Sequence, residues 1–151
     1  MTQSLSKMYV HIIFRIPNKG IQIRSNESNQ LYAYIGGVIK KTGCIPILIN
    51  GMPDHIHILC VLSKNIALSL LLEEIKRNSS RWIKTKGTYY NNFAWQGGYG
   101  VFSVSASVCT RTQEYIAQQS IHHKRMSFKD EYLKYLDEYG VDYNEDYLWR
   151  D

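Results

Sequence analysis

Apolar residues in this chain repeat every second residue in some stretches and every third or fourth in others. The order of those stretches limits the folds open to it. In "YVHIIFRI" (9–16), Val10, Ile12, Phe14 and Ile16 share one strand face and Tyr9, His11, Ile13 and Arg15 the other. A helical period follows over about Ser25–Thr42, through Leu31, Ile35, Val38 and Ile39, with Ser25 or Asn26 as its cap and Gly43 at C′. "CIPILIN" (44–50) reads as a strand with Pro46 at an edge or bulge, and "NGMPD" as a turn centred on Asn50-Gly51. The strand His55–Leu62 comes next, then a helix from about Ala67 to Lys84 striped by Leu68, Leu71, Leu72, Ile75, Ser79 and Trp82.

A Gly-, Asn- and aromatic-rich loop (86–100) leads into a fourth strand, "VFSVSAS" (101–107), and a helix from about Arg111 to His122. The order predicts an α+β, ferredoxin-like (RRM-like) β-α-β-β-α-β antiparallel sheet, with a C-terminal helix carrying Tyr115. At 151 residues one domain with a real core is expected, placed at 1–129 and followed by an acidic, tyrosine-rich tail (130–151) packed on the domain or on a partner.

Charge divides along the same line. Residues 1–129 hold sixteen Lys and Arg against five Asp and Glu, whereas 130–151 hold two against eight. So basic a domain attracts polyanions, nucleic acid above all, although a solvated soluble surface has the same composition. The tail either packs as an amphipathic appendage or covers basic surface when nucleic acid is absent. The run "MTQSLSKMYV" lacks a signal-peptide core and no apolar run is long enough to span a bilayer, so a cytoplasmic protein, bacterial or archaeal, is expected. Cys44, Cys60 and Cys109 are scattered, unlike a zinc framework, and read as structural thiols.

"PDHIHILCVL" (53–62) departs from its apolar surroundings: His55 and His57 project from one strand face. Two imidazoles can hold a metal ion, but a site usually needs a third ligand. His11 lies on another strand of the same sheet, as a possible ligand or a packed core histidine. In "TQEYIAQQSIHHK", Tyr115 and Gln119 are four residues apart and stack on one helix face, which offers an amide oxygen beside a phenol. A core aromatic is the competing reading of Tyr115. Asp54 and Glu114 are possible helpers, while His122 and His123 suit a helix end as well as DNA or a dimer partner.

Together these stretches resemble the single-tyrosine transposases of bacterial insertion sequences, the IS200-like group of the HUH endonuclease superfamily. "YVHIIFR" resembles their opening strand, and "GMPDHIHIL" the His-hydrophobic-His strand. "WQGGYGVFSVS" resembles the segment before the tyrosine helix, "YIAQQSIHHK" that helix, and "FKDEYLKYL" with "GVDYNEDYLW" the C-terminus.

The resemblance implies a metal-dependent single-strand DNA endonuclease and strand transferase. His55, His57 and Gln119 would hold Mg²⁺ or Mn²⁺, the two imidazoles suiting Mn²⁺ slightly better. Tyr115 would attack a phosphodiester to give a 5′-phosphotyrosine and a free 3′-OH, and rejoining then needs no ATP. It also implies hairpin-bearing DNA ends and a homodimer, with the tyrosine acting in cis or in trans. Phosphate contacts are expected from Lys76, Arg77, Arg81 and Lys84 on the second helix, and from Arg111, Lys124 and Arg125 around the tyrosine helix. Tyr89, Tyr90, Phe93, Trp95 and Tyr99 either stack on unpaired bases or anchor their loop. A domesticated HUH nickase shares this chemistry, and a non-catalytic RRM-like binder would expose aromatics on its sheet instead.

Overall fold

The computed structural model describes residues 2–151. Its framework is β1 (Met8–Arg15), α1 (Ser25–Lys41), β2 (Ile45–Met52), β3 (His55–Leu62), α2 (Leu68–Lys84) and β4 (Gly100–Val104). The strands form one antiparallel sheet in the order β2-β3-β1-β4, the ferredoxin-like topology that the periodicity predicts. Side-chain alternation gives the sheet two unlike faces. Val10, Ile12 and Phe14 of β1 and Ile56, Ile58 and Cys60 of β3 meet α1 and α2 through Leu31, Ile35, Leu71 and Ile75. Ile12, Ile56 and Ile58 are wholly buried, worth about 1.5–3 kcal/mol each. Burial also pushes the Cys60 thiol up to about 12, as suits an inert structural cysteine.

The second face carries His11 and Ile13 of β1 opposite Leu59 and His57 of β3. It is covered by α3 (Cys109–Ala117), the single turn α4 (Gln119–His122) and α5 (Phe128–Glu138), while α6 (Glu145–Leu148) follows near the end of the chain. Leu59 and Val104 bury Ile116 of α3, and Ile13 and Phe102 bury Tyr132 and Leu136 of α5. The position expected to separate domain from tail, 129/130, thus falls inside α5. Among the described residues, no helix is long and apolar enough to cross a membrane.

Local differences from the sequence reading have physical causes. Helix α1 is capped by Arg24 rather than Ser25 or Asn26, with Arg24 Nη2 on Glu27 Oε1 at 2.7 Å. Gly43 takes the expected left-handed conformation, φ 87°. Pro46 adjoins a register shift in edge strand β2, where its missing N–H costs least. Asn50 and Gly51 lie within β2, paired with His57 and Ile56, and the turn is at Pro53-Asp54. Strand β4 ends at Val104, giving way to a 3-10 turn over Ala106–Val108. Of the loop aromatics, Tyr90 and Phe93 are buried and Trp95 meets Phe14 edge-on at 4.7 Å, so they anchor the loop. Tyr89 and Tyr99 remain exposed.

The helix expected over Arg111–His122 is broken at Gln118 (φ −102°, ψ 25°). Asn50 Nδ2 donates to Ile116 O at 2.9 Å, occupying a carbonyl that a continuous helix would use four residues later.

Gly51 is a backbone requirement: a Cβ there would lie 2.3 Å from the carbonyl oxygen of His55. Gly51→Ala should therefore cost about 1–3 kcal/mol and disturb the strand that carries both histidines. Gly37→Ala, in helix α1 with nothing within 4 Å of its Cβ, should instead stabilise by about 0.5–1 kcal/mol. Urea midpoints of the two variants moving in the same direction would refute this contrast.

Candidate active site

Strand β3 delivers His55 and His57 to the covered face, at 0% exposure each. Asp54, in the turn before it, accepts from His55 Nδ1–H at 2.7 Å. Partial burial works against the Asp54 carboxylate, yet the His55 bond holds it below its ordinary value. With its Nδ1 so engaged, His55 directs Nε2 at Gln119 Oε1, 3.1 Å away. Carboxylate-oriented histidines of this kind are usual around metal ions.

The side chain that joins the site together is Glu131 of α5, 1% exposed. Its Oε1 accepts from His57 Nε2–H at 2.9 Å and lies 3.2 Å from His123 Nε2. Its Oε2 accepts from Gln119 Nε2 at 3.3 Å and, in a short bond, from the Tyr115 hydroxyl. Burial opposes the Glu131 charge, but the hydrogen bonds from His57 and Tyr115 hold the carboxyl far below its usual range. Burial, then the Glu131 bond and charge, push the Tyr115 phenol well above its ordinary value. Tyr115 therefore stays protonated in the resting site, its hydroxyl donating to Glu131.

His55, His57, His123 and Glu131 each turn one ligand atom into a common centre, all within 4.8 Å of one another. Gln119 Oε1 joins them, 3.0 Å from His123 Nε2. Cis ligands on a transition ion with bonds of ~2.1 Å stand ~3 Å apart, and His57, His123 and His55 Nε2 lie 2.9, 3.2 and 3.6 Å from Glu131 Oε1, close to that spacing. Imidazoles with one carboxylate and one amide oxygen suit Mn²⁺ better than Mg²⁺, which prefers an all-oxygen shell.

Solvent reaches Tyr115 through a cavity of about 220 Å³ whose walls include Arg111, Lys134 and Tyr135. Of the basic residues expected to meet DNA, Arg111 thus stands beside the phenol. Lys124 and Arg125 are exposed after α4. Helix α2 packs on the opposite sheet face, so Lys76, Arg77, Arg81 and Lys84 are not brought to this site. Lys76 donates from Nζ to Gln96 O at 2.9 Å and Gly98 O at 2.6 Å, and burial brings it down to about 8. Arg77 pairs with Glu74 at 2.5 Å. Glu114 is exposed, His122 stacks on Tyr115 with ring centroids 4.3 Å apart, and His11 Nε2 meets His57 Nδ1 at 2.8 Å.

Sequence reasoning missed Glu131, although a signal was present. Glu131 lies on the apolar stripe of its helix, between Phe128 and Tyr135, where a solvated carboxylate has no reason to be.

Burial depresses both His11 and His57 below the ordinary 6.5, with the His11–His57 interaction adding to the first and Glu131 partly opposing the second. The folded chain keeps them neutral where the unfolded chain protonates them, so unfolding takes up protons as pH falls through about 6.5. The depressed Glu131 and Asp54 carboxyls act in the same direction further down the scale. Urea midpoints in EDTA should fall steadily from pH 7.5 to 5, and a flat profile would contradict neutral buried rings.

A sequence profile described as "Transposase IS200 like" matches residues 4–119, ending at Gln119 and before Glu131. No curated protein matches the chain. Among solved structures, a candidate transposase from Deinococcus radiodurans R1 superposes with a TM-score of 0.60 at 19% identity, covering 79% of this chain and 98% of that one. A REP-associated tyrosine transposase bound to a REP hairpin gives a TM-score of 0.61 at 15% identity, covering 82% of this chain and 73% of that one. Both likenesses are of fold. The profile spans most of the sequence, and on that ground the chain belongs to the IS200-like transposase family.

Proposed function

We propose that this transposase cuts and rejoins single-stranded DNA by transesterification through Tyr115. The observation that carries the reading is the Tyr115 hydroxyl bonded to Glu131, whose other oxygen meets His57 in a cluster of metal-type ligands.

In the reaction the Tyr115 oxygen bonds to phosphorus, and the bond from phosphorus to the 3′-oxygen breaks. The products are a 5′-phosphotyrosine and a free 3′-OH, with the bond energy kept for the reverse attack by another 3′-OH. His55, His57 and Gln119, joined by Glu131 and His123, would hold Mn²⁺ or Mg²⁺, which supplies Lewis-acid polarisation of the phosphate. Glu131 orients the Tyr115 hydroxyl through their hydrogen bond and Asp54 fixes the His55 ring, while the phenolic proton ends on the departing 3′-oxygen. Arg111 and Lys134 draw the phosphate towards Tyr115. Hairpin-bearing strands are the proposed substrate, and a homodimer the proposed assembly. A non-catalytic RRM-like binder would need its sheet face open to bases, and here α3 and α5 cover it.

Labelled single strands from the DNA flanking the gene, incubated with protein and Mn²⁺, should give a covalent adduct stable on a denaturing gel and abolished by EDTA. If no hairpin-bearing strand forms an adduct with any divalent cation, the reading is wrong.

A further inference from the structure

A cavity of about 260 Å³ opens beside the ligand cluster on the same sheet face. Its walls include Ile13 and Arg15, the cross-strand partners of His57 and His55. Phe128 also lines it while lying against the His55 ring, centroids 4.3 Å apart, so one aromatic separates cavity and cluster. Tyr99, Tyr143 and Tyr147 stand around it with 40%, 38% and 63% of their surfaces exposed. Lys76 Nζ lies 5.6 Å from the Tyr99 ring centroid, Arg150 lies 4.6 Å from that of Tyr147, and the Tyr143 hydroxyl donates to Asp137, yet much of each phenol still faces solvent at this opening.

Its polar groups are chiefly donors. Arg15 uses Nη1 on Ile16 O at 3.0 Å and Asn18 Oδ1 at 3.2 Å, while Nη2 is buried without a partner. Asn144 accepts from Asp146 N–H at 2.8 Å through Oδ1, which leaves its NH₂ group for a ligand. Asp151 stands 3.5 Å from Arg15 Nη1 and offsets part of the cationic charge. Flat aromatic walls, donors in need of acceptors and a damped charge suit a neutral π-faced ring with an acceptor edge better than a phosphate. Nucleobases have that form, and guanine, with O6 and N7 side by side, is the base that arginine reads best.

We infer that this cavity holds one unpaired nucleobase of the substrate strand, guanine in preference to the others, beside the phosphate engaged by the ligand cluster. The inference rests on the single-stranded-DNA reading above and adds a sequence preference to it. Arg15 fixes the base edge, and Tyr147 with its neighbours provides the stacking surface.

The test measures fluorescence anisotropy with a short labelled oligo-dT strand carrying dT, dG, dA or dC at its centre. The wild-type chain should bind the dG strand about tenfold more tightly than the all-dT strand. Tyr147→Ala and Asn144→Ala, both exposed and outside the ligand cluster, should reduce that preference to near unity. Equal affinity for all four strands, no binding to any, or a preference that survives in both variants would overturn the inference. Adduct formation, read separately, keeps the two claims apart. An adduct without a guanine preference removes only the base pocket, and a guanine preference without an adduct removes only the cleavage reaction.

Discussion

Tyr115→Phe is expected to lower covalent adduct formation at least ~10⁴-fold while leaving fold and cation binding nearly intact. The phenylalanine ring keeps its stack on His122 and its edge contact with Tyr135, so only the attacking oxygen is lost. Glu131 retains His57, Gln119 and His123 as partners, which limits the stability loss to about 1 kcal/mol. End-labelled strands on a denaturing gel measure the first effect, and a urea titration the second. Tyr135, whose ring lies 6.0 Å from that of Tyr115, is the informative control. An adduct that persists in Tyr115→Phe and disappears in Tyr135→Phe would place the nucleophile on α5 and sink the assignment.

Glu131→Ala should produce the largest combined change in binding and stability. It strands four donors at once, from the buried His57 and Gln119 and the partly exposed Tyr115 and His123. Unmatched buried donors cost about 1–3 kcal/mol each before relaxation, so a net loss of about 2–4 kcal/mol is expected. Mn²⁺ affinity measured by calorimetry should fall by at least 10–100-fold, roughly what outer-shell losses alone produce elsewhere. Glu131→Gln tests the charge at nearly constant volume and should weaken Mn²⁺ binding with less effect on packing. Wild-type Mn²⁺ affinity in both variants would return the ligand set to His55, His57 and Gln119.

Much of the fold could be read from the sequence because its signals are local. The alternation in Tyr9–Ile16 and His55–Leu62 and the stripes of the two long helices each lie within one element, and chain order then left few topologies. Gly43 was legible for the same reason, since a left-handed helix end favours glycine whatever surrounds it. The break at Gln118 was not, because its cause is the side chain of Asn50, 66 residues away from Ile116. Nor was the Asn50-Gly51 pair, a hairpin signal overridden by the close approach of the His55 carbonyl.

The histidine pair drew attention because polar groups sat where the local pattern wanted none, and Tyr115 with Gln119 because side chains four residues apart share a helix face in a stretch that resembles the family's tyrosine helix. Glu131 carried the same anomaly but stood among seven other acidic residues of the tail, and composition hid it. Its partners come from three separate elements. Only tertiary structure brings them to one carboxylate.

The bond between His11 and His57 has a consequence for how protons are arranged on two adjacent rings. His57 Nε2–H donates to Glu131, so its Nδ1 accepts from His11 Nε2–H. To present the Nε2 lone pair to a cation, His57 must carry its proton on Nδ1, which then points at His11. His11 Nε2 must in turn become the acceptor: its proton passes along the bond to His57 Nδ1, the His57 Nε2 proton leaves past Glu131, and His11 takes up a proton on Nδ1. The direction of one buried hydrogen bond thus reverses on loading, and neither ring has to rotate. Since both rings are closed off from solvent, the pair behaves as a two-position relay whose setting nitrogen chemical shifts would report, the two histidines changing tautomer together.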